Sequence, residues 1–148
     1  MKSISMADLR DLLSLRYRNA RIYTLDSQYS IVGHKLIHKA YNQYVWQMRM
    51  IGLHRWVAHK MDCDKWAWLF KAYVIIRNAL SKREFAIPIG TLSYHINGDR
   101  SKPHMINSYL HYDVDRDRLT IREIEPQPNN GEVNLTPRER ETAWLVVY

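Results

Sequence analysis

The sequence predicts an α+β domain. Three observations carry that prediction: apolar residues at three- and four-residue steps over the first half, β-branched and aromatic runs punctuated by turn residues over the second, and a single cysteine opening the most apolar helical stretch. The expected arrangement is N-terminal helices with a central Cys-bearing helix packed on a C-terminal antiparallel β-sheet. A chain of 148 residues, 46% hydrophobic and 25% charged, suits one domain with a real core. Residues 1–60 read as its helical N-terminal part and residues 61–148 as the helix-plus-sheet core.

Residues 6–16 form the first expected helix, with Leu9, Leu12, Leu13 and Leu15 supplying its apolar positions. An extended segment is expected around Arg21–Leu25, followed by the turn-like Asp26-Ser27-Gln28. Gly33 precedes a long amphipathic helix in which Leu36, Ile37, Ala40, Tyr41, Tyr44, Val45 and Met48 recur at helical spacing, and Gly52 ends it. A second short helical piece is expected over Leu53–His59. From Cys63 to Leu80 apolar residues nearly encircle the helix, so burial on most sides is expected, with Asp62 as N-cap. Strand texture then takes over: Phe85–Ile96, with Pro88 and Gly90 marking an edge or bulge, then His104–Tyr112, Arg118–Glu125 and Thr142–Tyr148. Asn97-Gly98-Asp99 and Asn129-Asn130-Gly131 are turns.

One cysteine excludes an internal disulfide and fits an intracellular setting. The segment Met1–Arg10 reaches an acid and a base before any apolar run, unlike a signal peptide, and no stretch approaches 18 apolar residues. A cytoplasmic protein is therefore expected, in the host cytoplasm if the chain is phage-encoded, with no membrane partner. The net charge of +7 permits an acidic partner such as nucleic acid, but the basic residues are scattered and interleaved with acids, which reads as a solvated basic surface.

The chemistry centres on Cys63. A thiol at a helix N-terminus faces oriented N–H groups that favour the thiolate. Strand alternation supplies partners: if Tyr112 pairs with Asp117, His104 falls directly opposite Glu125, on one face with Ile106, Leu110, Leu119 and Ile121. That face would pack on the Cys63 helix. Cys63 is then the expected nucleophile, His104 the base and later acid, and Glu125 the group that fixes the imidazole tautomer. Trp66, Asn107 and Gln127 are expected to support a substrate or an oxyanion, although alternation puts Asn107 on the face opposite His104, where a structural hydrogen bond suits it better. Asp62 and Asp64 would raise the thiol pKa if they faced it.

Other constellations are weaker. His34 and His38 lie four apart on a helix, but Lys35-Leu36-Ile37 between them lacks the glutamate of a helical zinc-protease motif. No further ligand is evident beyond the nearby His54 and His59, so they read as surface histidines and no metal is expected. Trp46, Trp56, Trp66 and Trp68, with Tyr41, Tyr44 and Tyr73, would suit a stacking platform for sugars or bases, but their helical spacing favours core and cleft packing, Trp68 being the best candidate for exposure. Gly33, Gly52 and Gly90 fit no phosphate-binding pattern.

Cys63-Asp64-Lys65-Trp66-Ala67-Trp68-Leu69-Phe70 resembles the nucleophile motif of the transglutaminase-like (papain-like) cysteine superfamily, the version in peptide:N-glycanases above all. His104-Met105-Ile106-Asn107 looks like the strand that follows, and Ile124-Glu125-Pro126-Gln127 is similar to its acid–proline end, with Glu125 where aspartate is usual. Together with Asp62 and Pro88-Gly90 these segments resemble small phage and bacterial members. The departures are Asp62 where glycine precedes the cysteine and Ile106 in place of an aromatic. The resemblance implies a cysteine-dependent amide hydrolase or acyltransferase acting through an acyl-enzyme on a protein or peptide amide, with no cofactor. The alternative is a catalytically silent basic domain that binds protein or nucleic acid. Oligomeric state is not legible.

Overall fold

A computed structural model describes residues 3–57 and 60–148. Its elements in chain order are β1 (Ser3–Ser5), α1 (Met6–Arg16), β2 (Arg21–Tyr23), β3 (Gln28–Ser30), β4 (Val32–Gly33), α2 (His34–Met50), α3 (Cys63–Ala79), β5 (Ile89–His95), β6 (Pro103–Asp113), β7 (Arg118–Glu125), β8 (Gly131–Val133), α4 (Pro137–Glu141) and β9 (Leu145–Val147). The long helices and strands fall where periodicity puts them. Gly52 ends α2 with a positive φ of 83°, and Asn97-Gly98 turn between β5 and β6 with φ of 53° and 71°. Leu53–Val57 is not helical; Val57 instead bridges Met61. Ala58 and His59, on which that expected helix also falls, lie outside the described residues, as do Met1 and Lys2.

The fold class expected from the sequence needs correction on three counts. First, the main sheet, in the order β2-β9-β5-β6-β7-β8, is mixed: β2 runs parallel to β9, and β4 pairs in parallel with the far end of β6. Secondly, the N-terminal part is more than helices and one extended segment: the stretch expected around Arg21–Leu25 supplies β2 to that sheet, β4 joins it too, and β1 closes on β3 as a separate antiparallel pair. Short strands of two or three residues carry no legible alternation, and both chain ends must be folded together before they pair. Thirdly, both sheet faces are covered. Leu92, Ile106, Leu110, Ile121 and Val146 pack with Leu9 and Leu13 of α1 and with Tyr17 at its C-cap. On the other face Ile89, Tyr109 and Ile124 pack with α2 and α3 through Ile37, Tyr44, Trp66, Phe70 and Val74.

A buried ion pair fixes the α1 layer. Glu123, fully buried on β7, accepts from Arg16 Nε and Nη2 at 2.7 and 2.9 Å and from the Tyr17 hydroxyl at 2.7 Å. Two-pronged pairing of this kind offsets the desolvation of both charges. Between β5 and β9 the backbone approach is too close for a side chain: a Cβ on Gly90 would lie 2.3 Å from the Tyr148 ring. Gly90 is thus a site of close approach inside a central strand, not the edge suggested by Pro88-Gly90. The helix α4 begins with a capping box in which Thr136 and Glu139 bond reciprocally.

Candidate functional site around Cys63

The hairpin β6–β7 brings the first two members together. Its register pairs Asn107 with Ile124 and Asp113 with Arg118, so Glu125 sits two residues along from the position opposite His104. The even step preserves the face, and the diagonal separation remains within reach of two long side chains. His104 Nε2 lies 2.6 Å from Glu125 Oε2, and both groups are largely buried. The second carboxylate oxygen accepts from the Gln127 backbone N–H at 3.2 Å. The edge of the Tyr94 ring rests against the imidazole at a centroid distance of 5.7 Å, walling it on one side.

Cys63 arrives from the other side of the sheet. The face bearing His104, Glu125, Ile106, Leu110 and Ile121 packs on α1, whereas α3 packs on the face of Asn107, Tyr109 and Ile124. Asn107 records this directly, donating from Nδ2 to Ala67 O in α3 at 2.9 Å and to Gly90 O at 3.2 Å. The expectation that α3 would cover the His104 face is therefore corrected. His104 and Glu125 meet across the hairpin, and the first residue of α3 reaches the starting end of β6, where His104 and the Met105 backbone N–H act on the thiol.

These contacts set the charges. The hydrogen bond from His104 is the main cause that lowers the Cys63 pKa; burial opposes it, the Met105 N–H assists it, and Asp64 opposes it weakly. For His104 burial acts downward, but hydrogen bonds with Cys63 and Glu125 outweigh it and raise the imidazole to about 9. The arrangement favours the thiolate form of Cys63 beside a charged imidazole that Glu125 hydrogen-bonds. The flanking acids are occupied: Lys65 Nζ bonds Asp62 at 2.5 Å and reaches Asp64 at 3.5 Å. Asp62 stands at the N-cap position of α3, but its carboxylate is turned to Lys65 and not to the backbone amides.

The supporting residues divide. Asn107 is fully buried and ties α3 to the sheet. Trp66 is also fully buried, its ring edge on Tyr44, so it belongs to the core. Gln127 acts through its backbone, donating to Glu125 and accepting from the Tyr41 hydroxyl at 3.0 Å. Tyr94 was missed by sequence reasoning; its place in the alternation of β5 beside the strand of His104 was the available signal.

The mixed sheet with helices on both faces and a thiolate at one sheet end can be compared with known proteins. No protein-family model and no curated protein matches the sequence. Solved structures do match. A structure of PSL1a in complex with E64 superposes with a TM-score of 0.75 at 20% identity, covering 99% of this chain and 50% of that one. A crystal structure of Polyporus squamosus lectin bound to the human-type influenza-binding epitope Neu5Acα2-6Galβ1-4GlcNAc gives 0.73 at 20% identity, covering 99% and 49%. The chain spans about half the length of these structures, and the likeness at this identity is one of fold.

That likeness corrects the expectations drawn from family resemblance. The chain's structural neighbours are structures of a lectin and not transglutaminase-like enzymes, so the papain/transglutaminase-like label, the amide hydrolase or acyltransferase reading and the protein or peptide amide partner are withdrawn. The physical reason is that a cysteine followed by aromatic and apolar residues describes any helix start packed on a sheet. Sheet order and strand direction, which distinguish folds, are absent from such short motifs.

No described helix is long and apolar enough to cross a membrane.

Proposed function

We propose that the chain is a ligand-binding domain of lectin-like fold whose site carries a reactive thiolate. The observation that carries this reading is the His104–Glu125 pair at the starting end of β6, with the pKa of the neighbouring Cys63 thiol lowered chiefly by His104. In it Cys63 is the nucleophile, His104 holds the proton that a leaving atom needs, and Glu125 keeps the imidazole charged and oriented. When the sulfur bonds to an electrophilic carbon of a ligand, the displaced electron pair leaves on the departing atom, which takes the proton from His104. Chemistry of this thiol-dependent kind makes the domain a candidate enzyme.

Thiol reagents test the site. E64, the compound named in the neighbouring complex, is an epoxide; ring opening by Cys63 adds the whole reagent to the protein mass. We expect single-site modification by E64, and modification by iodoacetamide at about pH 6 far faster than that of free cysteine, with His104→Ala abolishing the excess rate. Reaction no faster than in the unfolded chain would sink the proposal.

A second reading concerns the partner. The neighbouring lectin is named with a sialylated trisaccharide, and Trp46, Trp56 and Trp68 are exposed on this chain at 61%, 53% and 48%. Exposed indole faces suit stacking against sugar rings, so we propose a carbohydrate as the ligand class. Titration of the trisaccharide, followed by tryptophan fluorescence, would detect it, and an unchanged spectrum at saturating sugar would remove glycan stacking while leaving the thiolate site standing.

A further inference from the structure

The face of the sheet opposite His104 carries a second cluster. His34 opens α2 and His38 follows one turn later, their rings 4.0 Å apart. Glu132 of β8 pairs with Ile124 of β7, so it points to the α2 side. Its Oε2 lies 3.0 Å from His38 Nε2 and 3.6 Å from His34 Nε2, and the three atoms all fall within 4.8 Å of one another.

We propose that His34, His38 and Glu132 form a binding site for a divalent metal of the zinc class. Two imidazole nitrogens and one carboxylate oxygen at these separations can close on an ion at about 2.0–2.2 Å with small side-chain movements, leaving a fourth position open. Imidazole donors favour zinc, copper or nickel over calcium or magnesium. The surrounding groups support ligation. Tyr109 Oη is 3.0 Å from His34 Nδ1; in the tautomer protonated on Nδ1 the phenol oxygen accepts that proton and leaves the Nε2 lone pair for the cluster. Arg122 Nη1 bonds the other carboxylate oxygen at 3.0 Å, orienting Glu132 while leaving Oε2 to the ion. His34 also lines a cavity of about 800 Å³ shared with His111 and Arg122, which gives the open position access to solvent. Beside His34 the buried His111 ring has neither nitrogen hydrogen-bonded to protein, a polar group available to a metal-bound water.

Zinc chloride titrated into the intact chain by calorimetry is the probe, with Cys63→Ala as background so that the thiol cannot hold the ion. One ion per chain is expected in both proteins. His38→Ala should weaken binding by more than about 100-fold, and Tyr109→Phe by about tenfold, the range for losing an outer hydrogen bond. Absence of saturable binding in Cys63→Ala, or unchanged affinity in His38→Ala, would overturn the site. Should His38→Ala fail to fold, the visible spectrum of Co²⁺ in the unaltered chain decides instead: tetrahedral bands without a thiolate charge-transfer band support the site, and a thiolate band refutes it.

Discussion

At the scale of residues, the chain's chemistry rests on who holds whose proton. In the proposed site Glu125 acts on Cys63 through the imidazole, whose charged form it stabilises. Glu125→Gln retains a hydrogen-bond acceptor and removes the charge. We expect the iodoacetamide rate profile of this variant to shift to higher pH by about one unit, with a roughly tenfold slower reaction at pH 6. A profile that superposes on the parent would mean that the carboxylate has no part in the site. The sequence made the helix start at Cys63 and the meeting of His104 with Glu125 legible because helix starts and strand alternation are local properties. It misassigned Trp66 because a tryptophan three residues into a helix has the same local pattern whether it faces a cleft or the core. It also left open whether Asp62 and Asp64 would spoil the thiolate; the answer, Lys65, was adjacent in sequence but its rotamer was not.

At the scale of elements, α3 and α1 behave differently from their patterns. The near-continuous apolar run of α3 suggested burial on most sides, but only the stripe Trp66, Ala67, Phe70, Lys71 and Val74 is buried, while Leu69, Ile75 and Ile76 face outward. Periodicity measures which residues could be covered, and neighbouring elements decide which are. The helix α1 reveals the converse: its docking depends on a charge. Removing Glu123 leaves Arg16 and the Tyr17 hydroxyl without their shared buried acceptor. We expect Glu123→Ala to lose about 3–5 kcal/mol of stability, measured by urea unfolding. A loss below about 1 kcal/mol would imply that α1 is held by its leucines alone. The short helix α4 was missed, although Thr136-Pro137-Arg138-Glu139 carries the capping-box signature with proline in the first turn.

At the scale of the whole molecule, the thiolate–imidazolium pair ties stability to pH. His104, raised from 6.5 to about 9, stabilises the fold fully below 6.5 and loses that contribution as pH rises to about 9. Cys63, lowered from 9.0, contributes fully above that value and loses its contribution as pH falls through its folded pKa. The two slopes oppose each other wherever the native pair keeps its proton on His104 and the unfolded pair keeps its proton on Cys63. In Cys63→Ala the thiol slope is gone, and His104 keeps the part of its slope that Glu125 supports. The stability of this variant should therefore fall relative to the parent as pH rises from about 6.5 to about 8.5 in matched urea unfolding. Parallel curves would exclude a charged pair in the native state.

What the sequence by itself determined was the set of parts: the long helices α1, α2 and α3, the strands β5, β6 and β7, and a hairpin parity that joins His104 to Glu125. These follow from interactions a few residues apart. What only the tertiary structure decided was everything that joins distant segments. It set the parallel pairing of β2 with β9, the covering of both sheet faces, and the approach of α3 from the face opposite His104. It also brought Glu132 onto a helix 94 residues earlier, turning two histidines read as surface groups into a candidate metal site. Such long-range pairings depend on how whole faces bury one another, and no local pattern of residue types encodes that choice.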